Sequence, residues 1–206
     1  MLRFMRTIVF AVAVVAPLLL SSNVWAQAHE TYSGVGDDVV EISKPDQGLP
    51  ALLVVSGNQK SKHFAVLARD DSGNRIEALV NTTEPYTGIV PIDLPPRTNT
   101  TLLEIKATGN WSIQLYSIGA AQRAEVPGTF EGEGDNVLWI EGDPSRAMIH
   151  GNSASKHFAV IAYDGSGKRL GAKVNTTDPY SGTVIIPNKT LLLQIKAIGS
   201  WSVELR

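Results

Sequence analysis

The chain is written twice. YSGVGDDV at 32–39 returns as FEGEGDNV at 130–137, and SKHFAV at 61–66 returns unchanged at 155–160. DDSGNR at 70–75 matches DGSGKR at 164–169, and VNTTEPYTG at 80–88 matches VNTTDPYSG at 174–182. LLEIKATGNWSIQL at 102–115 closes the first copy and LLQIKAIGSWSVEL at 192–205 the second. Five blocks in one order restrict the fold to a unit stacked or strung beside its twin. The offset between copies falls from 98 to 94 to 90, so the first copy carries insertions of four residues around 44–57 and around 93–101. Both lie in Pro-, Gly- and Asn-rich stretches that read as surface loops.

Each copy consists of short runs of β-branched and aromatic residues divided by Gly, Pro, Asn and Asp. In the first copy the expected strands are 30–34, 38–43, 51–56, 63–69, 75–80, 86–92, 101–107 and 111–117. Leu103, Ile105 and Ala107 alternate with Glu104 and Lys106, and Trp111, Ile113 and Leu115 alternate with Ser112 and Gln114. That period of two puts one face of each strand inside. Strands of this length and spacing predict an all-β fold of two tandem β-sandwich, jelly-roll-like modules, with a small barrel as the runner-up. Trp111 and Trp201 are the expected core anchors. The expected modules are 29–118 and 129–206, joined by a linker at 119–128 that lacks periodicity.

The amino terminus predicts export. Arg3 and Arg6 precede an apolar run from Thr7 to Leu20, and Ala26-Gln27-Ala28 follows as a peptidase site. Residues 1–28 are therefore expected to be a cleaved signal peptide, which directs the chain to the periplasm or beyond. A retained anchor would need about 20 apolar residues. With no further long apolar segment, the mature chain is expected to have no transmembrane segment. There is no cysteine and the formal net charge is −2, with the charges interspersed. This excludes disulfides and thiol chemistry, and it offers no basic block for nucleic acid.

An aromatic-x-G-x-G-D opening, an F-A-V strand, a D-x-S-G turn and a closing G-x-W-S strand stand in the same order in both copies. In that order the chain resembles the small β-sandwich modules of the pre-peptidase C-terminal type attached to secreted bacterial enzymes. The resemblance implies an accessory or binding role. The chain departs from the usual arrangement because no catalytic domain accompanies the modules.

Several residues invite a functional reading. Trp139 stands where the first copy has Glu41, and Tyr163 where it has Arg69. If the register of the strand holds, both rings face away from the core of their own module. There they either stack on a sugar or protein partner or are buried between the modules. Tyr86 and Tyr180, in the N-T-T-[ED]-P-Y block, either expose a ring or anchor the strand that follows. Asp37, Asp38, Asp135 and Asp164 present the loop oxygens that Ca²⁺ takes. Asp beside Gly is also ordinary turn chemistry. His63 and His157 are expected at a strand edge, with no second histidine at ligand spacing. No G-x-S-x-G elbow is present. These features predict an exported, non-catalytic binding protein that contacts a surface polysaccharide or another exported protein. The alternatives are a structural or stress-related envelope protein and an unrecognised hydrolase.

Overall fold

The computed structural model describes residues 28–94 and 98–206. The expected signal peptide lies outside the described residues except for Ala28. The N-terminal half runs through β1 (Glu30–Val35), β2 (Asp38–Glu41), β3 (Ala51–Gly57), β4 (Phe64–Arg69), β5 (Arg75–Thr82), β6 (Tyr86–Ile92), β7 (Leu102–Lys106) and β8 (Asn110–Ser117). These form two antiparallel sheets in the orders β1-β8-β3-β6 and β2-β7-β4-β5. Each sheet takes its strands alternately from early and late in the chain, which is the jelly-roll form of the sandwich.

After a 3-10 turn at Ile118–Ala120, the C-terminal half continues with β9 (Gln122–Glu125), β10 (Gly128–Glu133), β11 (Asn136–Glu141), β12 (Arg146–Gly151), β13 (Phe158–Asp164), β14 (Arg169–Thr176), β15 (Tyr180–Ile185), β16 (Thr190–Lys196) and β17 (Ser200–Leu205). Its sheets are β10-β17-β12-β15 and β14-β13-β16-β11-β9. Strand for strand this is the order of the first half, with β9 added.

The segment expected as a linker is thus structured. Gln122–Glu125 pairs parallel with Leu138–Glu141, and Ala124 is fully buried in the core of the C-terminal half. Only one of its four side chains points inward, so its sequence carries no alternation to read.

Period-two alternation fills each sandwich. Leu53, Val55, Phe64, Val66, Ile105, Trp111 and Ile113 belong to one core, and Leu138, Ile149, Phe158, Val160, Ile195, Trp201 and Val203 to a second. A third apolar cluster takes the opposite faces: Leu52 and Tyr116 from the first half, Val137, Ile161, Tyr163 and Leu192 from the second, with Val54, Ile89 and Trp139 packed against it. The outer face of β1-β8-β3-β6 therefore lies on the outer face of β14-β13-β16-β11-β9, and four sheets stack as four layers.

The stack explains where the copies diverge. Leu52 and Tyr116 face the joint, and their counterparts Arg146 and Arg206 face solvent on the far side of the molecule. Trp139 and Tyr163 face the joint, and their counterparts Glu41 and Arg69 face solvent at the other end. Arg69 there pairs with Glu104. Burial demands apolar surface at the middle of the stack and tolerates charge only at its ends.

The aromatic-x-G-x-G-D opening is a socket for tryptophan. A Cβ on Gly34 would stand 2.5 Å from Trp111 Cζ2, and one on Gly132 would stand 2.3 Å from Trp201 Cζ2. Only a residue without a side chain lets the indole lie there. The second glycine offers its carbonyl to the indole N–H, Gly36 to Trp111 at 3.0 Å and Gly134 to Trp201 at 2.9 Å. The aspartate completes the motif: Asp37 accepts from the Ala107 N–H at 2.9 Å and Asp135 from the Ala197 N–H at 2.8 Å.

Candidate functional site at the joint between the halves

Asp135 pins the joint. Its carboxylate accepts from Ala197 within its own half and, at 2.8 Å, from the Tyr86 hydroxyl of the other half. Its carbonyl accepts from the Ile89 N–H, also at 2.8 Å. Pro85 keeps Glu84 out of the helical region just ahead of β6, and the Tyr86 ring leans on Phe64 at a centroid distance of 6.4 Å. Burial holds the Asp135 carboxyl above the usual carboxylate range, although the Tyr86 hydroxyl, the Ala197 N–H, Lys196 and His157 all draw it down. Burial and the neighbouring Asp135 charge push the Tyr86 hydroxyl above its ordinary value, so it remains a donor.

Two adjoining cavities open beside this pair. One of about 240 Å³ is lined by Asn81, Tyr86, Asp135, His157, Lys196 and Ile198. The other, of about 430 Å³, shares Tyr86 and Ile198 and adds Glu84, Thr87 and Glu133. Ion pairs between the halves border the cleft: Lys156 reaches Glu84 at 3.4 Å and Lys196 reaches Glu77 at 3.8 Å. These cavities bring donors, acceptors and both signs of charge from the two halves to one place, and a junction between units is a common place for ligand pockets.

The residues singled out from sequence do not all meet there. Tyr86 and Asp135 form the cleft. Tyr163 is 8% exposed and donates to Gln194 Oε1 at 3.0 Å. Its ring is spent on the joint, so it is not a ligand platform. Trp139 is half-buried beside the joint, and the Arg123 guanidinium covers its ring at 4.6 Å. A cation already occupies the face that would stack on a sugar. Tyr180 leans on Phe158 at 6.4 Å, at the opposite end of the C-terminal sandwich from the joint.

The four aspartates do not gather into one site: Asp37 and Asp38 are adjacent in the chain, Asp135 belongs to the joint and Asp164 to the turn after β13. Asp37 and Asp135 hold their sockets, and Asp38 caps the Val39 N–H at 2.8 Å. Asp164 accepts from the Ser166 and Lys168 N–H groups at 2.9 and 3.0 Å. Among the described residues, no three His, Asp or Glu side chains group so as to hold a metal ion. The two histidines of the repeated Ser-Lys-His-Phe block each lie 3.2 Å from an asparagine of the next strand, His63 from Asn81 and His157 from Asn175.

Three structural features escaped the sequence reading. Asn58 and Asn152 are buried, and each takes a positive φ, 60° and 62°. Asn152 donates to the Lys156 and Asp178 carbonyls and accepts from the Lys156 N–H, stapling two loops; Asn58 does the same with Lys62 and Glu84. The signal was the Gly-Asn pair at 57–58 and 151–152. Lys44 and Asp93 form an ion pair at 2.6 Å with side chains 5% and 2% exposed. They come from the two insertions of the first copy, 49 residues apart, with no motif to link them. Arg123 lies in the segment expected to be a linker.

No family model matches the chain, and no curated protein sequence matches it. Among solved structures, it is similar to the PBSX exported protein XepA at 11% identity and a TM-score of 0.28, covering 87% of this chain and 82% of that one. It is also similar to tandem CBM51 modules of a family 98 glycoside hydrolase from Streptococcus pneumoniae, at 8% identity and 0.26, covering 84% and 81%. A regulatory subunit of a cAMP-independent protein kinase A from Trypanosoma brucei aligns at 8% and 0.24, covering 85% and 73%. At such scores these likenesses carry no argument.

Proposed function

We propose that the chain is an exported, non-catalytic binding protein whose cleft between the halves receives a surface polysaccharide or a segment of another exported protein. The observation that carries this reading is the convergence of Tyr86 and Asn81 from one half with Asp135, His157 and Lys196 from the other on one concave site. A ligand seated there touches both halves, so its affinity depends on how the joint is set. Ile198, 48% exposed, gives the cleft an apolar rim, and the surrounding hydroxyl, amide, carboxylate and ammonium groups suit a hydroxyl- or amide-rich ligand. The accessory role implied by the resemblance to pre-peptidase C-terminal modules agrees with this.

Retention on insoluble cell-surface polysaccharides and on immobilised exported proteins tests the reading. The native chain is expected to be retained, the His157→Ala/Lys196→Ala variant to lose at least about tenfold in affinity, and Trp139→Ala to bind nearly as the native chain does. Equal retention of the double variant, or no retention of the native chain on either support, rejects the cleft as the site. A hydrolytic turnover abolished by one substitution would reject the non-catalytic reading.

A further inference from the structure

The contact that joins the halves is made of parts that each half carries. The N-terminal half offers Tyr86, the Ile89 N–H and the outer face around Leu52 and Tyr116; the C-terminal half offers the Gly134-Asp135 turn and the face around Val137 and Ile161. Because the sequence and strand order repeat, the same parts recur at the two ends of the stack. The C-terminal half ends on Tyr180, Thr183 and the outer face of β12 and β15. The N-terminal half ends on the Gly36-Asp37 turn, Val39 and Leu67.

These end surfaces are open. Val39 is 58% exposed, whereas its counterpart Val137 is 1% exposed in the joint. The Asp37 side chain is 63% exposed. The edge strand β15 alternates between half-buried and exposed positions, with Ile185 at 79%, whereas β6 is covered along most of its length. We propose that the chain associates head to tail with a second copy of itself: the Tyr180 edge of one copy docks on the Gly36-Asp37 turn of the next and repeats the joint found within the chain. Such a contact is heterologous, so each copy keeps one unused end and the assembly grows as a string.

The repeated contact is weaker than the original. Arg146 and Arg206 replace Leu52 and Tyr116 on one end face, and Glu41 and Arg69 replace Trp139 and Tyr163 on the other. The C-terminal half also lacks the insertion that brings the Leu94 carbonyl against Gly167. Arg206 and Arg69 are paired within their own halves with Glu204 and Glu104, which leaves Arg146 on one end to meet Glu41 on the other, so association falls with salt. The inference stands apart from the ligand of the cleft, since its readout is mass alone.

Sedimentation velocity at low salt, up to about 1 mM chain, tests it with two exposed substitutions. Val39→Lys spoils one end and Thr183→Lys the other. The native chain is expected to pass beyond dimer as concentration rises, and each variant to associate at least about tenfold more weakly. An equal mixture of the two variants is expected to stop at dimer, because one intact end of each kind remains. A native chain that stays monomeric over that range, a single variant that associates like the native chain, or a mixture that stays monomeric overturns the proposal. A mixture that grows past dimer overturns it as well.

Discussion

Gly132 lies flat against the indole of Trp201, so close that a methyl group in its place would stand 2.3 Å from the ring. The ring is 3% exposed, and its N–H is satisfied two residues further along the same turn, at the Gly134 carbonyl. Glycine and tryptophan form one structural unit here. Trp201→Ala is expected to cost about 3–5 kcal/mol, and Gly132→Ala about 1–3 kcal/mol through overpacking. Denaturant unfolding measures both. The double variant should cost less than the sum of the two, because without the indole the new methyl meets no clash.

Tyr86→Phe keeps the ring on Phe64 and removes the hydroxyl that Asp135 accepts from. A loss of about 1–3 kcal/mol is expected, the range for a hydrogen bond to a partly buried charged acceptor. Amide exchange should localise it: the Ile89 N–H, which donates to Asp135, is expected to exchange faster than the amides of either core.

The pH dependence follows from Asp135. Its carboxyl in the folded chain sits above its unfolded value, so the folded state binds the proton more firmly. This group's contribution is therefore most favourable below the ordinary carboxylate range. It is lost as pH rises through the interval between the ordinary value and the raised one. Asp135→Asn should flatten that part of the stability curve, and thermal unfolding from pH 3 to pH 7 of native and variant chains shows it directly.

Lys44→Met leaves the Asp93 carboxylate buried without its cation. A loss of about 3–5 kcal/mol is expected. Asp93→Asn in the same chain should restore most of it, since asparagine tolerates the positive φ of 57° and still accepts from the Thr100 N–H and hydroxyl. If the double variant is no more stable than Lys44→Met alone, the pair does not hold the two insertions together.

The cores were legible because alternation writes them directly. Leu103 and Ile105, Trp111 and Ile113, and their counterparts point inward as the pattern requires. The eight strands of the first half lie within two residues of where that pattern puts them. The third cluster was only half legible. Trp139 and Tyr163 stood out as apolar replacements of Glu41 and Arg69, but alternation says which face a residue takes and not what covers that face. Leu52 had no such prompt, because its divergent counterpart Arg146 lies where the repeat is weak, and Tyr116 and Arg206 stand one residue past the last repeated block. Asp135 looked like Asp37, and sequence gives no reason for one to meet a tyrosine of the other half while the other faces solvent.

The strand β9 sets where the chain can be divided. Ala124 is sealed into the second core, and its neighbours cover the edge of β11 along Leu138–Glu141. A fragment starting at residue 129 would strip that edge and open a row of unpaired amide and carbonyl groups to any extended peptide nearby. A fragment starting at residue 121 would keep it. Trimming at the apparent boundary between the repeats would therefore remove a strand from the second half, and the cut that keeps the edge of β11 paired falls inside what the repeat alone would discard.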